Sequence, residues 1–328
     1  MSPTIPKYDV QDRSNKLPWL MSDRDILFKS SLTKAILFHG RIGLGKSLMA
    51  INLAKKILCP HSSKNDNSCD DCKDCHLVDI NAHPDLVVLP DESEKKSKID
   101  IEEIRGLLSF ATKSSHRGQG KIVILNKADQ FSRHTGNAIL KVLEENQNST
   151  YFFLVAEKLS EVMPTIKSRC LKTNIKQPSK EVALTWLSEN TENSTDNLAI
   201  GLAISGFAPL RAKTLIEDKS FWDNRTRLLK SIIENKDLER FISVSEKMES
   251  SVVANTLLML AFDVVLYQTV GKIQYNLDCH DFIASLAKNV IQKSLFNWYS
   301  SILVYSKQSS HGLNNRLALE NLFLSSPI

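Results

Sequence analysis

The sequence has no strong excess of charge, no apolar N-terminal leader and no apolar run long enough to cross a membrane. Its 42 lysines and arginines exceed the 37 aspartates and glutamates by only five, which fits weak attraction to an anionic surface and equally a neutral partner. Residues 1–16 are polar and include acids, unlike a secretory signal. The longest apolar run, 252–262, contains Asn255 and falls well short of the roughly 20 residues of a spanning helix. We therefore expect a cytoplasmic protein in which this run is a buried helix and no membrane is a partner.

Repeats and low-complexity segments are absent as well. A chain of 328 residues is too long for one ordinary core, so about two domains are the first expectation. Continuous apolar runs predict parallel strands that are covered on both faces. Four such runs lie at 35–38, 85–89, 121–125 and 151–155, and helical patterns lie at 100–114 and 135–146. Residues 1–174 are therefore predicted to form an α/β domain.

No strand is predicted beyond Gln177-Pro178, where the pattern changes. Ser179 is a favourable N-cap for a helix over 180–188, and apolar residues recur at helical spacing in seven later segments. These segments are 197–205, 211–218, 221–235, 238–248, 251–270, 281–304 and 313–324. Because breaks at 206–209 and 218–220 divide them, we predict a small helical lid over 175–219 and an all-helical domain over 220–328.

One motif points to nucleotide chemistry. Gly40, four further residues and then Gly45-Lys46-Ser47 form the pattern of a phosphate-binding loop, between a predicted strand and a predicted helix. The glycines, Gly43 among them, let successive backbone N–H groups face one phosphate. Lys46 would reach the outer phosphates, and the Ser47 hydroxyl would ligate Mg²⁺. The competing interpretation is a chance match in a glycine-bearing turn, but the strand and helix on either side favour a nucleotide loop.

The strand that should complete a hydrolytic site lacks its acids. In such sites a carboxylate after a second strand holds Mg²⁺ through water, and a following glutamate polarises the attacking water. Here the run at 121–125 leads into Asn126 and Lys127, an amide and a cation. Asp129 lies two residues past the second position, so it could substitute only with a shifted register. We therefore predict that the site does not hydrolyse ATP appreciably.

Four of the six cysteines lie within seventeen residues of one another, at Cys59, Cys69, Cys72 and Cys75. In a cytoplasmic chain such a cluster is typical of metal binding rather than of disulfides. Four thiolates suit a closed, structural Zn²⁺ site. The alternative is four free thiols. Cys170 and Cys279 have no such neighbours and are predicted to be small buried apolar residues.

Several stretches together carry a resemblance. They are the phosphate loop whose helix leads into C-x₉-C-x₂-C-x₂-C, then NAHPD at 81–85, NAILKVLEE at 137–145, TIKSRC at 165–170 and LNNRLALE at 313–320. In this order they resemble the bacterial clamp-loader subunits of DNA polymerase III, and PWL at 18–20 is similar to the start of one of them. The resemblance spans nearly the whole chain. It implies an AAA+ fold: a P-loop domain with a parallel sheet and a zinc knuckle, a helical lid, and a helical collar domain for assembly.

In this family, motor subunits hydrolyse ATP and a stator subunit does not. Two features favour the stator for this chain. The acids are missing at 126 and 127, and the chain has no room for a motor subunit's extended tail. The intact loop at 40–47 keeps binding of ATP with Mg²⁺ open. Read alone, Arg169 is a surface arginine just after a strand. By resemblance it projects into the ATP site of the neighbouring subunit, where a guanidinium stabilises charge on the γ-phosphate.

The resemblance also implies partners. These are motor subunits of the gamma/tau type and the clamp-opening delta subunit, with the sliding clamp and primed DNA reached through the complex during DNA replication. Three other functions stay open: a motor-type ATPase with an unconventional acid, a small-molecule phosphotransferase that uses the same loop, and an assembly protein whose loop is empty.

Overall fold

The computed structural model describes residues 17–20, 34–62, 68–90, 99, 101–144, 150–192, 194–233, 237–308 and 315–327. The chain divides into two compact units, Thr4–Val182 and Ala183–Ile328. Each unit has a hydrophobic core of its own. The predicted division into 1–174, 175–219 and 220–328 remains a prediction.

A five-stranded sheet forms the centre of the first unit. Its strands are β1 (Ala35–His39), β2 (Leu86–Leu89), β3 (Lys121–Leu125), β4 (Thr150–Ala156) and β5 (Leu171–Asn174). They lie in the order β2-β3-β4-β1-β5, and every pairing is parallel. All five residues of β3 are buried, because both faces of a parallel sheet are covered. The four predicted strands are confirmed.

Helices connect the strands of this sheet. They are α1 (Lys46–Leu58), α2 (Lys73–Asp79), α3 (Ile101–Thr112), α4 (Arg133–Glu144) and α5 (Pro164–Arg169). The sequence pattern predicts α1, α3 and α4 but not α2, α5 or β5. Those three elements are only four to seven residues long, and three of the four residues of β5 are exposed, so none of them produces a long apolar pattern.

Beyond β5 the described residues contain helices and no strand, as predicted. The helices are α6 (Lys180–Asn190), α7 (Thr195–Ile204), α8 (Pro209–Glu217), α9 (Lys219–Ile233), α10 (Leu238–Ser245), α11 (Ser250–Val270), α12 (His280–Asn289), α13 (Gln292–Gln308) and α14 (Asn315–Leu324). Parts of four predicted helices, at 100, 145–146, 234–235 and 313–314, lie outside the described residues.

The predicted single helix over 281–304 is wrong, because the structure has two helices there, α12 and α13. Val290 follows α12 with an extended backbone, at φ −95° and ψ 133°. The Gln268 side chain of α11 donates hydrogen bonds to the carbonyl oxygens of Ala287 and Val290, at 3.0 and 2.8 Å. Carbonyl groups at a helix end need such outside donors, so a side chain from another helix satisfies the end of α12.

The helix α11 is long and apolar enough, by length and composition, to cross a membrane. It is nevertheless the central helix in the hydrophobic core of the second unit, where Val253, Leu257, Leu260 and Val264 are fully buried. This agrees with the predicted buried helix. Asp263 in the same helix has no exposed surface. Its carboxylate accepts hydrogen bonds from the backbone N–H groups of residues 274–276, at 2.7 to 3.2 Å.

The segment after α11 also pairs with α9. Arg225 is 2% exposed, and its guanidinium donates to both carboxylate oxygens of Asp278, at 2.6 and 2.9 Å. A third bond reaches Asn276 Oδ1 at 2.9 Å. Because buried charges are tolerated when paired and hydrogen-bonded, this network fixes the connection between α11 and α12.

Candidate functional site

The predicted phosphate-binding loop lies between His39 at the end of β1 and Lys46 at the start of α1. Gly40, Gly43 and Gly45 have φ angles of 147°, 80° and 88°, a region that other residues rarely adopt. Gly45 is the N-cap of α1 and has no side chain with which to occupy the first N–H groups of the helix. Those groups, at the positive end of the helix dipole, are suited to an anion.

The loop is fastened by two side chains. Lys46 is 7% exposed, and its ammonium group donates to the carbonyl oxygen of Arg41 at 2.7 Å. Burial lowers the pKa of Lys46, while the carboxylates of Glu157 and Asp129 act in the opposite direction. The indole N–H of Trp19 donates to the carbonyl oxygen of Leu44 at 2.9 Å. Trp19 belongs to the PWL stretch that carries the resemblance, but its contact with the loop was not predicted from the sequence.

The end of β3 meets the loop directly. The Ser47 hydroxyl donates to Asn126 Oδ1 at 3.0 Å, and the Asn126 backbone N–H donates to the carbonyl oxygen of Leu89 at 2.7 Å. The position expected for an acid is therefore beside the loop's serine and holds an amide. Lys127 follows with a left-handed backbone, at φ 56°. These two residues add no carboxylate to the site.

Asp129 has one hydrogen-bonded carboxylate oxygen, and its Oδ1 atom is buried without a hydrogen-bond partner among the described residues. Its Oδ2 atom accepts hydrogen bonds from the backbone N–H groups of Glu157 and Lys158, at 3.1 and 3.0 Å. It therefore holds the turn after β4.

Mg²⁺, which nucleotide loops of this kind employ, prefers carboxylate oxygens and retained waters. The donors at the loop are one serine hydroxyl and one neutral amide oxygen. This set does not fit a tightly held divalent cation.

The four predicted zinc ligands come together. Their sulfur atoms all lie within 4.8 Å of one another, with Cys59 Sγ 3.6 Å from that of Cys69 and 4.0 Å from that of Cys72. Cys69 and Cys75 are 3.9 Å apart at sulfur. Thiolates at about 2.3 Å from a tetrahedral zinc ion are about 3.8 Å apart. The cluster could therefore hold a structural Zn²⁺.

Local structure positions these thiols. Cys59 directly follows α1, and Cys72 is the N-cap of α2, where its sulfur accepts a hydrogen bond from the Cys75 N–H. Lys55 of α1 forms ion pairs with Asp70 and Asp79, at 2.9 and 2.8 Å. Burial lowers the pKa of Lys55, but its hydrogen bonds to the two carboxylates outweigh burial and raise the pKa. The ion pairs tie the cysteine module to α1.

A second connection joins this module to the sheet. Asp85 is fully buried. Its carboxylate accepts hydrogen bonds from the backbone N–H groups of His116 and Arg117, both at 2.8 Å. His83 Nδ1 accepts the Asp85 N–H at 3.1 Å, and its Nε2 faces Asp74 of α2 at 3.4 Å. Burial lowers the pKa of His83, which keeps the ring neutral as this arrangement requires. This His-Pro-Asp stretch is part of the resemblance, but its structural role was not predicted from the sequence.

Arg169 is the last residue of α5 and precedes β5, so the expectation that it follows a strand is wrong. The cause is that α5, only six residues long, was not recognised as a helix. The guanidinium donates to the carbonyl oxygen of Thr165 at 3.1 Å and pairs with Glu144 of α4. Its side chain is 41% exposed. Its hydrogen bonds and ion pair involve no residue of the loop at 40–47.

A phosphate loop after the first strand, a parallel sheet in this order and helices after the sheet define an AAA+ P-loop protein. Two family models match the chain: "DNA polymerase III, delta subunit" over residues 24–179 and "DNA polymerase III, delta subunit, C terminal" over residues 219–326.

Individual relatives agree with these models. The chain is 32% identical to the delta' subunit of DNA polymerase III from Pseudomonas aeruginosa, over 75% of this chain and 73% of that protein. It is 28% identical to the delta' subunit of Buchnera aphidicola from Schizaphis graminum, over 94% and 96% of the two chains. A gamma subunit-related protein of Thermotoga maritima superposes with a TM-score of 0.47 at 17% identity, covering 93% and 97%. The chain belongs to the delta' subunits of DNA polymerase III, a family of replication proteins.

Proposed function

We propose that the chain is the stator of the clamp loader: it binds nucleotide at residues 40–47 without hydrolysing it, and it supplies Arg169 to a neighbour's ATP. The observation that carries the first part is the contact between Ser47 and Asn126 at 3.0 Å. It places the end of β3 beside the loop in the position of the catalytic acids. Because that end offers an amide and Lys127, nothing there would activate a water molecule.

The trans role of Arg169 is supported by its exposure and by its weak present partners. Exposed ion pairs such as that between Arg169 and Glu144 contribute at most about 1 kcal/mol. Replacing Glu144 by another anion as the partner of Arg169 therefore costs little free energy. A γ-phosphate is a better partner, since a guanidinium binds phosphate oxygens in a forked geometry. The hydrogen bonds and the ion pair of Arg169 leave it outside the chain's own phosphate loop.

The test is the ATPase rate of a reconstituted loader that contains Arg169→Ala. We expect the rate to fall while the complex still assembles. Arg169→Lys should not restore it, because lysine lacks the fork. An unchanged rate in the assembled Arg169→Ala complex would rule out the trans role.

The alternative is a hydrolysing, motor-type clamp-loader ATPase. It is favoured by the complete loop and by Asp129, which lies close enough to Lys46 to oppose the lowering of its pKa. Asp129→Asn keeps an oxygen for the N–H groups of Glu157 and Lys158 but removes the charge. If the purified chain hydrolyses ATP and the folded Asp129→Asn variant does not, the chain is a motor-type ATPase and the stator hypothesis is wrong.

Assembly is assigned to the helices of the collar, residues 220–328, with residues 175–219 as the lid. Phe296, Leu303 and Val304 of α13 are 51%, 38% and 51% exposed, and their spacing of seven and eight residues places them on one helix face. Such a face suits a partner subunit. The partners are the gamma/tau motor subunits and the delta subunit, and the complex places the sliding clamp on primed DNA in the cytoplasm. The cysteine module holds a structural Zn²⁺ in this proposal.

A further inference from the structure

Ser47 and Asn126 lie where the Mg²⁺ of a bound nucleotide would be held. Both side chains are neutral, whereas a divalent cation is best held by a carboxylate. The Ser47 hydroxyl gives its hydrogen to Asn126 Oδ1. Asn126 is 8% exposed, and its backbone N–H is bonded to Leu89 on β2, so the amide is held in place. A carboxylate at this point would offset the charge of a divalent cation and hold its waters. An amide oxygen can accept hydrogen bonds from those waters but contributes no charge.

No described hydrogen bond directs another acid to Ser47. Asp129 uses Oδ2 to accept hydrogen bonds from the N–H groups of Glu157 and Lys158, and its Oδ1 atom is buried without a hydrogen-bond partner among the described residues. Glu157 is an exposed side chain in the turn after β4, not a group fixed toward Ser47 by any described hydrogen bond. The residue after Asn126 is a lysine. The side chains hydrogen-bonded to each other at Ser47 are therefore one hydroxyl and one amide, and neither carries a charge.

The protein itself supplies the positive potential that phosphates require. Lys46 is a buried ammonium group whose acceptor is a neutral carbonyl oxygen, and a phosphate oxygen is a stronger acceptor for it. The N-terminal amides of α1 and the glycine loop add backbone donors. These groups bind phosphate oxygens without an intervening metal ion.

We infer that this loop selects the metal-free nucleoside polyphosphate, so that Mg²⁺ does not assist binding and competes for the ligand instead. This inference rests on the proposed nucleotide binding at residues 40–47. In the proposed function, the site would bind nucleotide whether or not Mg²⁺ is present. The neighbouring hydrolytic sites, by contrast, require that cation.

The test is calorimetric titration of ATP into the full chain, once with excess Mg²⁺ and once with EDTA at equal ionic strength. We expect binding in EDTA to be at least as tight as in Mg²⁺. Asn126→Asp should reverse the order, binding about tenfold or more tightly with Mg²⁺ than with EDTA, a difference that titration resolves easily. Lys46→Ala should abolish the binding heat in both buffers, which locates the heat at the loop.

The outcomes separate the two proposals. Wild-type binding that weakens about tenfold or more in EDTA would overturn the metal-free inference while leaving nucleotide binding intact. An absence of binding heat in both buffers would overturn the nucleotide-binding proposal and this inference with it. If Asn126→Asp fails to fold, as judged by its thermal unfolding, the wild-type comparison alone decides. A folded Asn126→Asp with unchanged metal dependence would remove Asn126 as the determinant and overturn the inference.

Discussion

At Gly40 the phosphate loop lies close to the backbone of Ile175. A Cβ atom added there would be 2.7 Å from the carbonyl oxygen of Ile175, at a φ of 147°. Because a backbone atom cannot move aside as a flexible side chain can, we expect Gly40→Ala to destabilise the first unit by roughly 1–3 kcal/mol. It should also weaken nucleotide binding, since the loop would have to shift. Urea unfolding and ATP titration measure the two effects.

Gly106 provides the matched control for that substitution. It lies inside α3, and a Cβ atom added there would have no neighbour within 4 Å. An exposed helical glycine costs roughly 0.5–1 kcal/mol relative to alanine, so Gly106→Ala should stabilise the chain slightly. Equal and small effects of the two substitutions would show that the contact between Gly40 and Ile175 is not restrictive.

At the scale of the element, the cysteine module is built at the ends of α1 and α2, and in the proposed function it holds one zinc ion. We expect Cys72→Ser to lower the bound zinc well below one equivalent and to reduce the stability of the first unit, because metal binding contributes directly to folding. Acidification should release the metal, since its thiolate ligands take up protons as the pH falls. Zinc content by atomic absorption is the measurement.

Cys279→Ser is the control for this experiment. Burial raises the pKa of the Cys279 thiol to about 11, and the residue lies outside the four-cysteine cluster. Its zinc content should match that of the unaltered chain. Full zinc retention by Cys72→Ser would contradict a four-thiolate site.

The connection after α11 gives a second prediction at this scale. Asp263 accepts backbone hydrogen bonds from residues 274–276. Asp263→Asn would place an amide NH₂ group among these donors, and breaking such a buried network costs about 2–4 kcal/mol. Asp223→Asn, at an exposed position of α9, should change stability by about 0.5 kcal/mol or less. Thermal unfolding of both variants checks this, and similar values would refute the role of Asp263.

The elements differ in how far local sequence determines them. β3 was predictable because all five of its residues are buried and the last four, at 122–125, form a continuous apolar run. The break between α12 and α13 was not, because it depends on Gln268, which lies 19 and 22 residues before its two carbonyl partners. The same holds for the site. The loop glycines and the cysteine spacing are local patterns, whereas the bond from Trp19 to Leu44 joins residues 25 apart.

At the scale of the whole molecule, the apolar face of α13 is expected to determine assembly. Phe296→Asp combined with Val304→Asp should leave the isolated chain folded, because both side chains are 51% exposed. It should prevent incorporation into the loader, since a charge buried in an interface without a partner is costly. Size-exclusion chromatography of the reconstituted mixture is the measurement.

Val270→Asp is the control for the α13 double variant. It also replaces an exposed apolar side chain by an acid, but Val270 is 59% exposed at the end of another helix, α11. It should enter the complex normally. If the α13 double variant assembles as well as Val270→Asp, the assembly face lies elsewhere.

The hydrogen bond from Trp19 to the phosphate loop has an optical consequence. The chain has four tryptophans, and Trp186, Trp222 and Trp298 all come later than Val182. Trp19 is thus the single indole fluorophore of the first unit, and it is bonded to Leu44 in the middle of the loop. With the other three replaced by phenylalanine, its emission would respond to the polarity around that carbonyl group. The loop thereby carries its own spectroscopic reporter, and nucleotide binding to the isolated chain can be followed by fluorescence without an added dye.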